Sequence, residues 1–299
     1  MKKEWNIKID GRGLEQDEII DSLLSSRNID DVGEFLHPSE EDILPLEKLH
    51  NIDKAAQMIL DSVENLESFY VYYDVDVDGC GSGSIATRYL NHLGADVTVG
   101  INNWKEHGIK NANIDDFDGI DILWIVDSIQ DSIEPYKKFL DKGIKIVISD
   151  HHIVSDKLAK EMKEAGIILV SSAYHYENPD LSGSCVTWKV CKMIDELCLD
   201  DYADSLIDLA ATGLIADMCN MMSPENRAIC DKAFKNLRNP GIKKINGSYA
   251  FVARNVSFGV SPKINAANRV NHNDLAMKVF LSDDEDEIAE IVKGLNQCR

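Results

Sequence analysis

Five short apolar runs, each separated from the next by helical or loop-forming sequence, constrain this chain more than any other feature. They fall at 69–73, 97–99, 122–126, 144–148 and 167–170. Each is rich in β-branched or aromatic residues and too short for a helix, so each reads as a buried strand. Helical spacing follows over 85–90, 136–140 and 157–163, the first after a glycine- and serine-rich turn at 79–84. A parallel crossover needs a returning segment, usually a helix, so this alternation calls for a parallel sheet covered on both faces. The expected fold is α/β, a five-stranded, Rossmann-like parallel sheet flanked by helices. Residues 1–65 read as a helical extension packed on that core, with helices over 17–24, 32–36 and 53–60 and Asp53 as the N-cap of the third. Residues 66–299 read as the main domain. Its C-terminal portion is helical over 186–197, 202–216, 225–237, 275–281 and 287–295, with a loop at Asn239-Pro240-Gly241.

Three of the strands run directly into acidic or acid-histidine clusters. Asp74-Val75-Asp76-Val77-Asp78-Gly79 follows the first strand, Asp127 the third, and Asp150-His151-His152 the fourth. In an open parallel sheet the carboxyl ends of the strands line one crevice, so residues distant in sequence converge there. An acidic residue after a strand is commonly a helix cap or a turn former, which is an adequate reading for Asp127 alone. It is a poor reading for three alternating carboxylates, which repel one another unless a cation lies between them. An EF-hand loop is excluded because the position six residues after Gly79 is Ile85, not glutamate. A histidine beside a carboxylate at a strand end is a good ligand, since the carboxylate can orient the imidazole. Asp217, at the end of the apolar stretch Gly213-Leu214-Ile215-Ala216, is a weaker fourth candidate. Mixed oxygen and nitrogen donors of this kind suit Mn²⁺ or Mg²⁺. Two such ions about 3.5–4 Å apart can activate water and neutralise charge on a phosphoryl group.

The charge is harder to reconcile with a polyanionic substrate. The chain carries 31 Lys and Arg against 52 Asp and Glu, a net charge of −21. Proteins that coat nucleic acid present basic surfaces, because released counterions drive that binding. Some of the acidity is surface solvation, as in the run from Ser282 to Glu287, which reads as a helix start. Carboxylates inside a cleft turn electropositive once metals fill them. No apolar run approaches the roughly 20 residues that span a bilayer, and the opening Met1-Lys2-Lys3-Glu4-Trp5 leads into no secretory pattern. Seven cysteines without a CxxC pair read as reduced thiols of an intracellular, cytoplasmic protein.

DVDVDG at 74–79, VDS at 126–128, SDHH at 149–152 and GLIAD at 213–217 resemble the ordered motifs of the DHH phosphoesterases. The likeness to the RecJ single-strand-specific exonucleases runs over most of the chain. It includes Ser26-Arg27-Asn28-Ile29 and Glu34-Phe35-Leu36-His37-Pro38 upstream, and Leu181-Ser182-Gly183-Ser184 midway. Downstream lie Asn226-Arg227 and Ile264-Asn265-Ala266-Ala267-Asn268-Arg269-Val270. The resemblance implies a DHH sheet holding two Mn²⁺ or Mg²⁺ ions. Asp74, Asp76 and Asp127 would hold one; Asp78, Asp127, His151 and Asp217 would hold the other, with Asp127 bridging. Asp150 would support the ligands from behind, and His152 would face the scissile phosphate and help protonate the leaving oxygen. Ser82, Trp104, Lys105, His107 and Arg269 are the implied substrate contacts.

The chain also departs from the RecJ pattern. Trp104 stands where those proteins usually carry an arginine, and Asn268 replaces a glycine of the INAAGR pattern. The glycine-rich GGGH segment of a C-terminal substrate domain does not follow, so a further domain or a partner chain is expected to supply grip on the strand. The implied function is 5′-to-3′ hydrolysis of single-stranded DNA, with a role in DNA repair. Hydrolysis of dinucleotides or cyclic dinucleotides and a non-catalytic replication or repair scaffold are the alternatives; the complete ligand set argues against the scaffold.

Overall fold

The computed structural model describes residues 13, 15–101, 107–270 and 272–298. Three helices lead in: α1 (Gln16–Ser25), α2 (Val32–Leu36) and α3 (Ile52–Glu64). Strands and helices then follow in the order β1 (Ser68–Tyr73), α4 (Val77–His92), β2 (Asp96–Ile101), β3 (Ile122–Val126), α5 (Glu134–Leu140), β4 (Lys145–Asp150), α6 (Asp156–Glu164) and β5 (Ile168–Ser171), with a 3₁₀ turn, Ile114–Phe117, between β2 and β3. The rest is helical: α7 (Gly183–Cys198), α8 (Ile207–Ala216), α9 (Pro224–Lys235), α10 (Pro240–Asn246), α11 (Ala253–Asn255), α12 (Ser261–Arg269), α13 (Asn273–Leu281) and α14 (Glu285–Gln297).

All strand pairs are parallel, in the order β2-β1-β3-β4-β5. The period-2 alternation of a strand divides the sheet's side chains between two cores. Ile122, Trp124 and Val126 face the core shared with α3, α4, α7 and α8, whereas Leu123 and Ile125 face the one shared with α5 and α6. Ile52, Ala55, Ala56 and Ile59 of α3 belong to the first core, so this part of the N-terminal region packs directly into the main body. From β1 the chain steps outward to β2 and then crosses back to β3 on the other side of β1. That reversal creates a crevice at the carboxyl ends of β1 and β3, where such sheets bind ligands. Among the described residues no helix is long and apolar enough to cross a membrane.

The structure corrects four local expectations. The segment 79–84 is not a turn: α4 starts at Val77, capped by the Asp76 carboxylate, which accepts from the Gly79 N–H at 2.8 Å. Its glycines are present for close packing, not for chain reversal. Asp53 does not cap α3; Asn51 occupies that position with φ 63°, and its side-chain amide donates to the Leu169 carbonyl at 3.1 Å. Asn239-Pro240-Gly241 opens α10, with Asn239 capping the Ile242 N–H and Pro240 in the first turn, where a missing donor costs nothing. The expected helix over 202–216 divides into a 3₁₀ turn, Tyr202–Leu206, and α8. The Ser282–Glu287 run is the expected helix start, with Asp284 capping α14.

Candidate metal centre

Three strand ends and one helix end deliver the candidate ligands to the crevice. Asp74, Asp76 and Asp78 leave β1 and enter α4; Asp127 leaves β3; Asp150 ends β4 with His151 and His152 next; Asp217 follows α8. Asp127 turns the chain in the left-handed region at φ 52°, which aspartate tolerates better than most residues. Its N–H donates to the Ser149 carbonyl at 3.0 Å, which ties the β3 exit to β4.

His151 lies at the middle of the cluster. Its Nε2 is 3.2 Å from Asp127 Oδ1, 3.4 Å from Asp217 Oδ2 and 3.8 Å from Asp78 Oδ2. Donor atoms of Asp78, His151 and Asp217 all fall within 4.8 Å of one another, as do those of Asp127, His151 and His152. The structure thus brings together the four residues expected to share one ion. Asp74 and Asp76 reach the same crevice with other partners. Asp74 Oδ2 is 2.6 Å from His107 Nδ1, and Asp76 Oδ1 is engaged by the start of α4.

Asp150 organises the histidines from behind. Its Oδ1 accepts from the N–H groups of His151 and His152 and from His152 Nδ1 at 2.7, 2.8 and 2.7 Å. Its Oδ2 accepts from the Ile129 N–H at 2.8 Å. Burial alone would raise this carboxyl, but the His152 contacts hold it down at about 2. Burial likewise works against a charged His152, yet Asp150 and the surrounding aspartates push the imidazole up to about 9. With Nδ1 committed to Asp150, Nε2 of the half-exposed His152 is the atom free to meet a ligand.

The carboxylates are strained by one another. Burial, then Asp78 and Asp76, push Asp127 well above the usual carboxylate range. The same causes raise Asp217 to about 8, and burial with Asp78 raises Asp76 to about 6. Asp127 Oδ1 is buried with no hydrogen-bond donor. A carboxylate oxygen that accepts no hydrogen bond, beside an imidazole and crowded by Asp78, Asp76, Asp150 and Asp217, is in the environment a divalent cation relieves. The donor set therefore fits Mn²⁺ or Mg²⁺.

Two glycines and a serine form a cradle that sequence reasoning did not assign. Asp78 is fully buried and accepts from the N–H groups of Gly183 and Ser184 at 2.7 and 3.1 Å and from Ser184 Oγ at 2.5 Å, at the N-terminus of α7. A Cβ on Gly213 would lie 2.0 Å from Asp78 Oδ1, and one on Gly183 would lie 2.6 Å from Asp127 Oδ1. The LSGS and GLIAD segments thus carry glycine because two carboxylates press against the backbone there. Asn268 is a second unassigned device: its amide donates to the Val75 carbonyl and clasps the acidic loop.

The implied substrate contacts are placed unevenly. His107 lies in the crevice, its ring 4.5 Å from that of His152. Arg269 is exposed and lines a cavity of about 240 Å³ with Val75, Asp76, Asn265 and Asn268. Ser82 is fully buried inside α4, with no surface to offer a strand. Trp104 and Lys105 lie outside the described residues. Two almost fully exposed apolar residues, Ile153 and Met218, directly follow His152 and Asp217, and no sequence pattern pointed to either.

The chain is similar to known proteins over most of its length. Residues 68–214 match the DHH family, N-terminal domain. A prophage SPbeta protein of Bacillus subtilis strain 168, which carries the name single-strand DNA-specific exonuclease YorK, is 29% identical over 271 residues, covering 87% of this chain and 46% of its own length. The single-stranded-DNA-specific exonuclease RecJ of the same organism is 26% identical over 307 residues, covering 93% of this chain and 36% of its own. The chain thus spans less than half the length of these relatives. The RecJ of Thermus thermophilus, solved in complex with Mn²⁺, shares the fold with a TM-score of 0.75 at 23% identity, covering 85% of this chain and 38% of that one.

Proposed function

Residues 68–214 belong to the DHH family, and from that premise we propose that the chain is a divalent-metal-dependent phosphodiesterase acting on single-stranded DNA from its 5′ end. The observation that carries this reading is the buried Asp127 Oδ1, which accepts no hydrogen bond and lies 3.2 Å from His151 Nε2 in a cluster with Asp217 and Asp78. Asp78, Asp127, His151 and Asp217 would hold one ion, and Asp74, Asp76 and Asp127 a second. Bound there, Mn²⁺ or Mg²⁺ would supply Lewis acidity toward a phosphoryl group and toward water.

The protein's own groups do the rest. Asp150 fixes the His152 ring through Nδ1 and leaves Nε2 to carry a proton toward a leaving oxygen. The α7 N-terminus and Ser184 hold Asp78 in place, so this ligand need not reorganise when a metal arrives. His107, tied to Asp74, and Arg269, beside Asp76, flank the crevice where a phosphate backbone would pass. With a net charge of −21 the chain is poorly suited to hold a long strand alone. Grip from a further domain or a partner chain is part of this reading. The names of the two Bacillus relatives support single-stranded DNA as the substrate.

Incubation of the chain with a labelled single strand, a dinucleotide and a cyclic dinucleotide, each with Mn²⁺ or EDTA, tests the proposal. The expected result is Mn²⁺-dependent shortening of the strand from its 5′ end. Because Trp104 replaces an arginine, the preference for a 5′-phosphate over a 5′-hydroxyl should stay below about tenfold, or roughly 1.4 kcal/mol. Faster turnover of either dinucleotide would replace the substrate assignment. No cleavage of any of the three would favour the scaffold.

A further inference from the structure

We propose that a cavity along the outer edge of β5 is a second binding site, which takes a phosphate-bearing ligand of nucleotide size. The cavity encloses about 500 Å³ between the start of α3, the second half of α6 and β5. That volume falls in the range typical of small-ligand sites. None of the candidate metal ligands lines it, and the inference does not depend on the nuclease reading.

Its lining is basic in a chain of net charge −21. Lys54, Lys160, Lys163 and His50 surround it. Lys163 has no ion-pair or hydrogen-bond partner among the described residues, and Lys54 donates only to the neutral Asn51 Oδ1, at 3.1 Å. Lys160 meets Glu164 at 3.8 Å in an exposed contact one helical turn away, which contributes little. Burial and the charges of Lys54 and Lys163 hold His50 below its ordinary pKa, with Asp53 the opposing carboxylate. Two ammonium groups without carboxylate partners at one cavity mouth are point charges available to a phosphate.

The other walls suit the remainder of a nucleotide. Ile167, Ile168 and Leu169 add apolar lining, as does the partly exposed Tyr174, its ring 5.9 Å from that of His50 at 61°. An aromatic face of this kind accepts any base by stacking. Asn51 holds the arrangement together, since its amide grips the Leu169 carbonyl of β5 while its oxygen receives Lys54. The phosphate could belong to a free nucleotide or to a strand passing along the sheet edge; lysines at a cavity mouth recognise both.

The test is equilibrium titration of the full chain with AMP, comparing wild type with the double variant Lys54→Gln/Lys163→Gln. In parallel, a five-nucleotide oligothymidylate is titrated into Asp127→Asn and into the same variant carrying the two lysine changes. Both lysines are exposed, so the double variant should melt at the wild-type temperature. AMP binding at least about tenfold weaker in the double variant is expected, a difference of about 1.4 kcal/mol. Tighter binding of AMP than of the oligonucleotide would identify the ligand as a free nucleotide, and the reverse order, with the same loss in the double variant, as a strand. AMP affinity within about twofold of wild type in the double variant would place the nucleotide elsewhere and overturn the proposal. No binding up to about 10 mM would do the same.

Discussion

Replacing Asp127 with asparagine is expected to lower Mn²⁺-supported hydrolysis of a single-stranded oligonucleotide by at least about a thousandfold while the chain stays folded. Asparagine keeps the shape that packs against Gly183 and tolerates the left-handed backbone at φ 52°. It cannot supply the charge that both proposed ions share. The substitution also removes a group that burial and the neighbouring aspartates make costly to ionise. Without metal, therefore, the variant should melt at or above the wild-type temperature, which separates lost chemistry from lost structure. Turnover near the wild-type rate at saturating Mn²⁺ would mean that the ligand assignment is wrong.

Removing the metal is expected to have a comparably large effect on stability, with a definite pH dependence. Asp76 and Asp217 titrate near 6 and 8 in the folded chain, against about 3.9 for an unfolded aspartate. Both folded values are raised, so the stability these groups contribute is complete below pH ~4 and is lost as pH rises through 6 and 8. His152, raised to about 9, shifts stability in the same direction above its unfolded value of about 6.5. Asp150, held at about 2, loses its contribution only in acid below this window. The metal-free chain should therefore melt at progressively lower temperature from about pH 5 to pH 8. Mn²⁺ must displace the bound protons, so its affinity and its stabilisation grow over the same interval. At a thousandfold excess over its Kd, an ion bound only by the folded state adds about 4 kcal/mol, or roughly 5–10 °C for a domain of this size. Thermal melts in EDTA and in Mn²⁺ at pH 5.5 and 8 check this; a gap that is absent, or that narrows toward pH 8, contradicts it.

The sheet and the acidic and histidine residues at its strand ends were legible because both depend on local patterns. β-branched runs such as 122–126 mark buried strands, and a carboxylate directly after such a run can only emerge at the strand's carboxyl end. Convergence of Asp78, Asp127 and His151 follows from that rule. Asp217 was harder, since an acidic residue after an apolar helix carries no directional information; only the packing of α8 against α4 brings it to His151. The glycine-rich segment 79–84 was misread because its glycines answer to tertiary contacts. Gly83, for example, lies against the Tyr73 ring, and a local pattern cannot show that. The Asp78 cradle was hidden for the same reason: Gly183, Ser184 and Gly213 lie far along the chain from the carboxylate they serve. Asn268 registered only as a departure from a family pattern, although it binds the acidic loop through Val75.

Anomalous scattering from crystals of the chain grown with Mn²⁺ would test the central claim most directly. The account predicts a peak bounded by Asp78, Asp127, His151 and Asp217, together with a second on the Asp74 and Asp76 side of Asp127. A peak at the first position alone would retain the centre but remove the second ion. An empty crevice at saturating Mn²⁺, or a Mn²⁺ peak only elsewhere on the molecule, would contradict the assignment of this cluster as a metal centre.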